Sequence, residues 1–129
     1  MRKVARRLYR IGADHGIDTT RGVALFELTD EMAVNDSKAR LWAQAEWLKA
    51  AIILARSEKD EAVRQAYVAD AAAGARSLLR FFEMPVAGLW RDKLTGEGTW
   101  IDEPAPASSF YHIIDSLRVL AAWQAGPVK

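Results

Sequence analysis

Leu41-Trp42-Ala43-Gln44-Ala45-Glu46-Trp47-Leu48, continued after Lys49 by Ala50-Ala51-Ile52-Ile53-Leu54-Ala55, is apolar nearly all the way round a helix. A surface helix carries one apolar stripe, whereas a helix apolar on every side is buried on both. The flanking segments read differently. From Arg2 to Ala13, Val4, Leu8 and Ile11 recur at helical spacing among Arg2, Lys3, Arg6, Arg7 and Arg10. From Lys59 or Asp60 to Phe82, Val63, Tyr67, Gly74, Leu78 and Phe82 share one face among mixed charges. Both segments are amphipathic and suit an outer layer. Alternating outer and buried helices predict stacked helical hairpins, as a solenoid or a closed toroid. The residues show no internal repeat, which disfavours a tetratricopeptide-type array.

The connections complete an all-α reading with about four helices in one domain over residues 1–129. Asn35, Asp36 and Ser37 are N-cap candidates for the buried helix, which ends near Arg56. Before it, Gly22 to Phe26 and Thr29 to Glu31 predict a small hairpin. Glu83 to Ala107 forms a long loop that holds Trp90, Trp100 and all but one of the prolines, so it is expected to pack. Ser108 or Ser109 caps a fourth helix that stops before Gly126-Pro127.

Composition narrows the function. The 129 residues allow one core, with 50% hydrophobic and 27% charged residues and a net charge of +1. Nothing in that balance points to nucleic acid. The absence of cysteine excludes a disulfide framework, a thiolate zinc site and a cysteine nucleophile, and is compatible with the cytoplasm. The basic N-terminus lacks the continuous apolar run of a signal peptide, leaving a solvated helix face or, as the alternative, a transit peptide. No stretch approaches a membrane span, since even Ala50 to Ala55 stops at Arg56. There are two histidines, and the acidic residues do not cluster, so no metal and no cofactor are expected. His15-Gly16-Ile17-Asp18 reads as a helix end and loop rather than a catalytic pair.

Two places could carry chemistry. In the buried helix, Trp42 and Glu46 share one face, and Arg40, Gln44 and Trp47 another. An indole beside a carboxylate suits carbohydrate, the ring covering a sugar's C–H face while the carboxylate accepts its hydroxyl protons. The alternative is a core tryptophan and a Glu46–Lys49 pair. In the fourth helix, Phe110, Ile113, Ile114, Leu117 and Ala121 form an apolar stripe, with His112 opposite beside Ser108 and Asp115. His112 also lies in the first turn, where the positive end of the helix disfavours a cation. It could serve as a general base, or be a surface histidine bonded to Asp115 or Ser108.

Lys38-Ala39-Arg40-Leu41-Trp42-Ala43-Gln44-Ala45-Glu46, then Gly88-Leu89-Trp90-Arg91-Asp92, then Pro106-Ala107-Ser108-Ser109-Phe110-Tyr111-His112-Ile113, follow in this order. Together with Asp14-His15-Gly16-Ile17-Asp18 upstream, they resemble the C-terminal portion of the N-acylglucosamine 2-epimerase superfamily. That group includes mannose isomerases, cellobiose 2-epimerases and proteins called mannose-6-phosphate isomerase. Ala43 departs from the proline often found there. The resemblance implies an (α/α)6 toroid, of which this chain would be the C-terminal third. It also implies proton transfer next to a sugar carbonyl by two histidines. His112 matches the second histidine, and Trp42 and Glu46 match substrate contacts, with Arg40 and Ser108 as further candidates. The first histidine belongs to a His-x-x-Glu motif that this sequence lacks.

Three readings follow from this. One is a sugar isomerase or epimerase of the mannose–fructose type, acting on a small sugar and missing part of its site. Another is a non-catalytic helical remnant that self-associates through exposed toroid edges. The third is a helical-hairpin glycosidase with Glu46 and Asp92 as its acids.

Overall fold

The buried helix, α2, spans Leu41–Ser57. The computed structural model describes residues 2–126. Burial of Leu41, Ala45, Leu48, Ala51, Ile52, Leu54 and Ala55 leaves Ile53 as the large apolar residue of α2 facing solvent, at 51% exposure. On its flanks lie α3 (Glu61–Arg80) and α4 (Ser109–Gln124). The shared core joins Leu41, Leu48 and Ile52 to Leu78, Phe81, Leu94 and Ile113. The fold is all-α, with four helices joined by short strands.

α2 begins later than the Asn35 to Ser37 capping residues predict. Val34–Asp36 is strand β4, and Ala39–Arg40 is β5, paired antiparallel with β6 (Lys93–Leu94). The chain therefore enters α2 from a strand. The Leu41 N–H donates to the Asp92 carbonyl at 2.9 Å, so main chain rather than a side-chain cap satisfies an orphan donor of the helix. α3 starts as read, with the Asp60 carboxylate accepting from the Val63 N–H at 3.1 Å. α1 runs over Arg2–His15, slightly past Ala13. It is held by the Tyr9 hydroxyl donating to Asp70 at 2.8 Å and by Tyr9 packing edge-on against Tyr67.

Two hairpins replace the single one expected. β1 (Ile17–Asp18) pairs with β2 (Val23–Ala24), and β3 (Glu27–Leu28) pairs with β4. Gly22, at φ +67°, closes the first turn instead of opening a strand. Gln44, fully buried, fastens this hairpin to α2. Its Oε1 accepts from the Ala24 N–H and the Ser77 hydroxyl, each at 2.8 Å. Its Nε2 donates to the Ala24 and Arg40 carbonyls, each at 2.9 Å. All four amide hydrogen-bonding positions are filled, which makes the buried group affordable.

The long loop packs, as its tryptophans suggest: Trp100 meets Phe81 edge-on at 4.9 Å, and Arg91 lies over the Trp100 ring at 5.0 Å. The apolar stripe of α4 is largely uncovered. Ile113 is buried, but Phe110, Ile114 and Leu117 are 53%, 41% and 45% exposed, and Ala121 is also exposed. Ser109 and Ser116 face inward instead. Their small side chains allow close approach, and Ser109 bonds to buried Asp92, which fixes the rotation of the helix.

Gly74 marks the closest contact of α2 with α3. A Cβ there would stand 3.0 Å from the Leu48 nitrogen and 3.1 Å from its Cα. Gly74→Ala gains helix propensity of about 1 kcal/mol but presses the new methyl against the Leu48 backbone, an overpacking cost of about 1–3 kcal/mol. Net destabilisation is expected, read as a lower urea midpoint with an unchanged slope.

Candidate active site

The N-terminal ends of α2 and α4 converge because Asp92 binds both. Its buried carboxylate accepts from Arg40 Nε at 3.1 Å and Arg40 Nη2 at 2.7 Å on one oxygen, and from the Ser109 hydroxyl at 3.0 Å on the other. A buried carboxylate needs such pairing to offset its lost hydration. β5 thus presents Arg40, the first turn of α2 presents Trp42, and the start of α4 presents Ser108 and His112.

Arg40, Trp42, Ser108, Ser109 and His112 line one open cleft of about 340 Å³. The Trp42 and His112 rings lie 5.9 Å apart at 37°, and Phe26 supports Trp42 edge-on at 6.4 Å. Tyr111 lies 4.4 Å from the His112 ring. Ser108 is exposed at the helix start and makes no side-chain capping bond.

Glu46 stands behind His112 and does not line this cleft. Its Oε1 is 2.9 Å from His112 Nδ1 and 2.8 Å from Lys49 Nζ, and Lys49 also reaches Asp115 at 2.8 Å. Glu46 thus makes the Lys49 pair that its spacing offered, and in addition a contact with His112 that the sequence did not suggest. Neither Asp115 nor Ser108 is hydrogen-bonded to His112. Lys49 takes the Asp115 carboxylate instead.

Burial opposes ionisation of Glu46, but hydrogen bonds and charge from Lys49 and His112 outweigh it and hold the carboxyl below its ordinary 4.5. Burial likewise opposes the charge on Lys49, yet its two carboxylate partners raise it above 10.5. An ionised carboxylate can only accept, so His112 donates from Nδ1. In the neutral ring the lone pair then sits on Nε2.

Asp92 cannot serve as the second glycosidase acid. Its side chain is 0% exposed and committed to Arg40 and Ser109, so the two opposed acids of that mechanism are not formed. Arg40 is likewise largely engaged, holding Asp92 and lying over the Phe26 ring at 5.6 Å. Sequence reasoning missed Ser109 as a positioning residue. Its adjacency to Ser108 gave no way to tell which serine turned inward. His15 ends α1 and is exposed, as a helix-end residue should be. Among the described residues no group of three or more His, Asp or Glu is placed to hold a metal, and no helix is long and apolar enough to cross a membrane.

Because the folded pKa of Glu46 is depressed, its stabilisation is complete above about 4.5 and is lost as pH falls through the folded value. Glu46→Gln should therefore melt below the parent protein at pH 7. The gap should narrow as the buffer is taken below pH 4.5. A gap independent of pH in thermal scans would contradict the ion-pair account.

A family model for N-acylglucosamine 2-epimerase (GlcNAc 2-epimerase) matches residues 1–116. A mannose-6-phosphate isomerase of Rhizobium meliloti (strain 1021) is 49% identical over 116 residues, covering 90% of this chain and 30% of that protein. The crystal structure of a D-mannose isomerase superposes with a TM-score of 0.75 at 22% identity, covering 90% of this chain and 29% of the other. The chain thus spans about a third of the length of these relatives. At that identity the structural likeness speaks for the fold alone, a mostly helical one of the toroid class. The match along residues 1–116 makes this chain a member of the N-acylglucosamine 2-epimerase family.

Proposed function

We propose that this chain supplies one acid–base side of a sugar isomerase site, for aldose–ketose interconversion of the mannose–fructose type. The observation that carries the proposal is the 2.9 Å Glu46–His112 contact, which leaves Nε2 as the ring's free nitrogen beside Trp42 on an open cleft. In such a reaction a base takes the proton from the hydroxyl-bearing carbon next to the carbonyl while an acid gives one to the carbonyl oxygen, forming an enediol. The carbon proton then returns to the former carbonyl carbon as the neighbouring hydroxyl gives up its own, and return to the other face of the original carbon, with the first oxygen deprotonated again, would be epimerisation. His112 Nε2 takes and returns the proton. Glu46 holds the ring and stabilises the imidazolium formed in between, a positioning role rather than a sugar contact. Trp42 covers the C–H face of the sugar, and Arg40 and Ser108 meet hydroxyls at the rim. The names of the relatives, a mannose-6-phosphate isomerase and a D-mannose isomerase, support this substrate class. A cytoplasmic location accords with it.

The cleft offers no second histidine or carboxylate to handle the carbonyl oxygen. That partner, expected in a His-x-x-Glu motif, would lie outside these residues. One positioned acid or base contributes about 10²–10⁴-fold, against the roughly 10⁶-fold or more of enzymes. The chain alone should therefore cause no deuterium incorporation at C1 or C2 of mannose, fructose or their 6-phosphates in deuterated water. Exchange that vanishes in His112→Ala would show a complete site within this chain and overturn the divided one. Exchange should appear in a version extended upstream and be abolished there by His112→Ala.

The reading as a remnant that associates rests on a different observation, the uncovered Phe110, Ile114 and Leu117 face of α4. Contiguous apolar surface of this kind favours association. Light scattering should show mass rising with concentration, and a persistent monomer at high concentration would contradict it.

A further inference from the structure

A second cavity, of about 440 Å³, lies between the β1–β2 turn, α2 and α3. Elements of this chain that already pack on one another form its walls, one side being open, and it shares no lining residue with the His112 cleft. Arg76 and Arg80 project into it from successive turns of α3. Among the described residues, neither guanidinium has a carboxylate within ion-pair distance. Arg80 is steadied by donating from Nη1 to the Arg21 carbonyl at 2.7 Å, while Arg76 is exposed. Arg21 also borders the cavity but is spent internally, on Asp18 and the Thr95 and Ser37 carbonyls.

The remaining wall is mixed. Trp47 contributes an indole whose buried Nε1 has no hydrogen-bond acceptor in good geometry. Thr19 contributes an exposed hydroxyl, and Asp70 a carboxylate with one oxygen taken by Tyr9 and the other open. Two unpaired guanidiniums suit a phosphate, which they can grip through several charge-assisted donors. A single carboxylate and a hydroxyl beside an indole suit the hydroxylated body of a small molecule. A cavity of this size falls in the range of small-molecule sites, about 300–1,000 Å³.

We propose that this cavity binds the phosphomonoester of a small polyhydroxylated molecule, with Arg76 and Arg80 on the phosphate and Asp70 and Thr19 on its hydroxyls. The test is NMR of the chain labelled with ¹⁵N, following the Trp47 indole and the Arg76 and Arg80 Nε signals at constant ionic strength. Glycerol phosphate should shift them saturably, inorganic phosphate more weakly, and glycerol not at all. Arg76→Gln, which removes an exposed side chain that makes no hydrogen bond among the described residues, should fold normally and weaken glycerol phosphate binding about tenfold or more. Shifts that do not saturate, or equal binding by Arg76→Gln, would reduce the pair to solvated surface arginines and overturn the site. Equal affinity for phosphate and glycerol phosphate would overturn the role given to Asp70 and Thr19. None of these outcomes depends on whether the His112 cleft acts on sugars.

Discussion

One buried carboxylate governs the geometry of the cleft. Asp92 lies within the long loop, directly before β6, where its carbonyl meets the first N–H of α2 and its side chain meets Arg40 and Ser109. The cost of enclosing the charge is offset only if all these partners stay in place. The starts of two helices are thereby fixed relative to each other, and the side chains they present are fixed with them. Removing Ser109 or Arg40 would leave part of a buried anion unpaired, so either change would also disturb the spacing of Trp42 and His112.

The second tie works on the same helices one turn further in. His112, Glu46, Lys49 and Asp115 form a run of alternating groups from α4 to α2 and back to α4. Partial exposure makes each pair weak on its own. Their arrangement nevertheless settles which ring nitrogen of His112 is bonded and which is free. That assignment decides whether the imidazole can take a proton from a ligand in the cleft.

Much of this was legible in the residues. The apolar circumference of α2 announced a central helix, and of the residues singled out from the sequence Arg40, Trp42, Ser108 and His112 lie on the cleft while Glu46 does not. What the spacing could not give was the rotation of α4. Spacing picks out its apolar stripe but does not say which of those residues a neighbouring helix covers. Here serines cover the seam and Phe110, Ile114 and Leu117 lie outside it. The start of α2 was misplaced for a related reason. Asn35 to Ser37 offer good capping chemistry, but Asn35 and Asp36 lie in β4, paired with β3, and β5–β6 pairing, a contact between segments distant in sequence, keeps Ala39 and Arg40 extended up to the helix start. Glu46 and Lys49 could be paired from spacing, whereas the contact of Glu46 with His112 required the two helices to be docked.

Gln44 has a consequence for how this chain can drift in sequence. Its amide touches the first hairpin only through the main-chain N–H and carbonyl of residue 24, and β5 only through the carbonyl of residue 40. Main-chain atoms are the same whatever side chain they carry. The hairpin is therefore free to exchange its side chains, within the space left by Val23 and Ala24, without loosening its anchor. The anchor itself has no such freedom. Glutamate would bring a charge and lose two donors, and leucine would strand the groups of Ala24 in an apolar interior. Tolerance on one side of the contact and intolerance on the other arise from the same four hydrogen bonds.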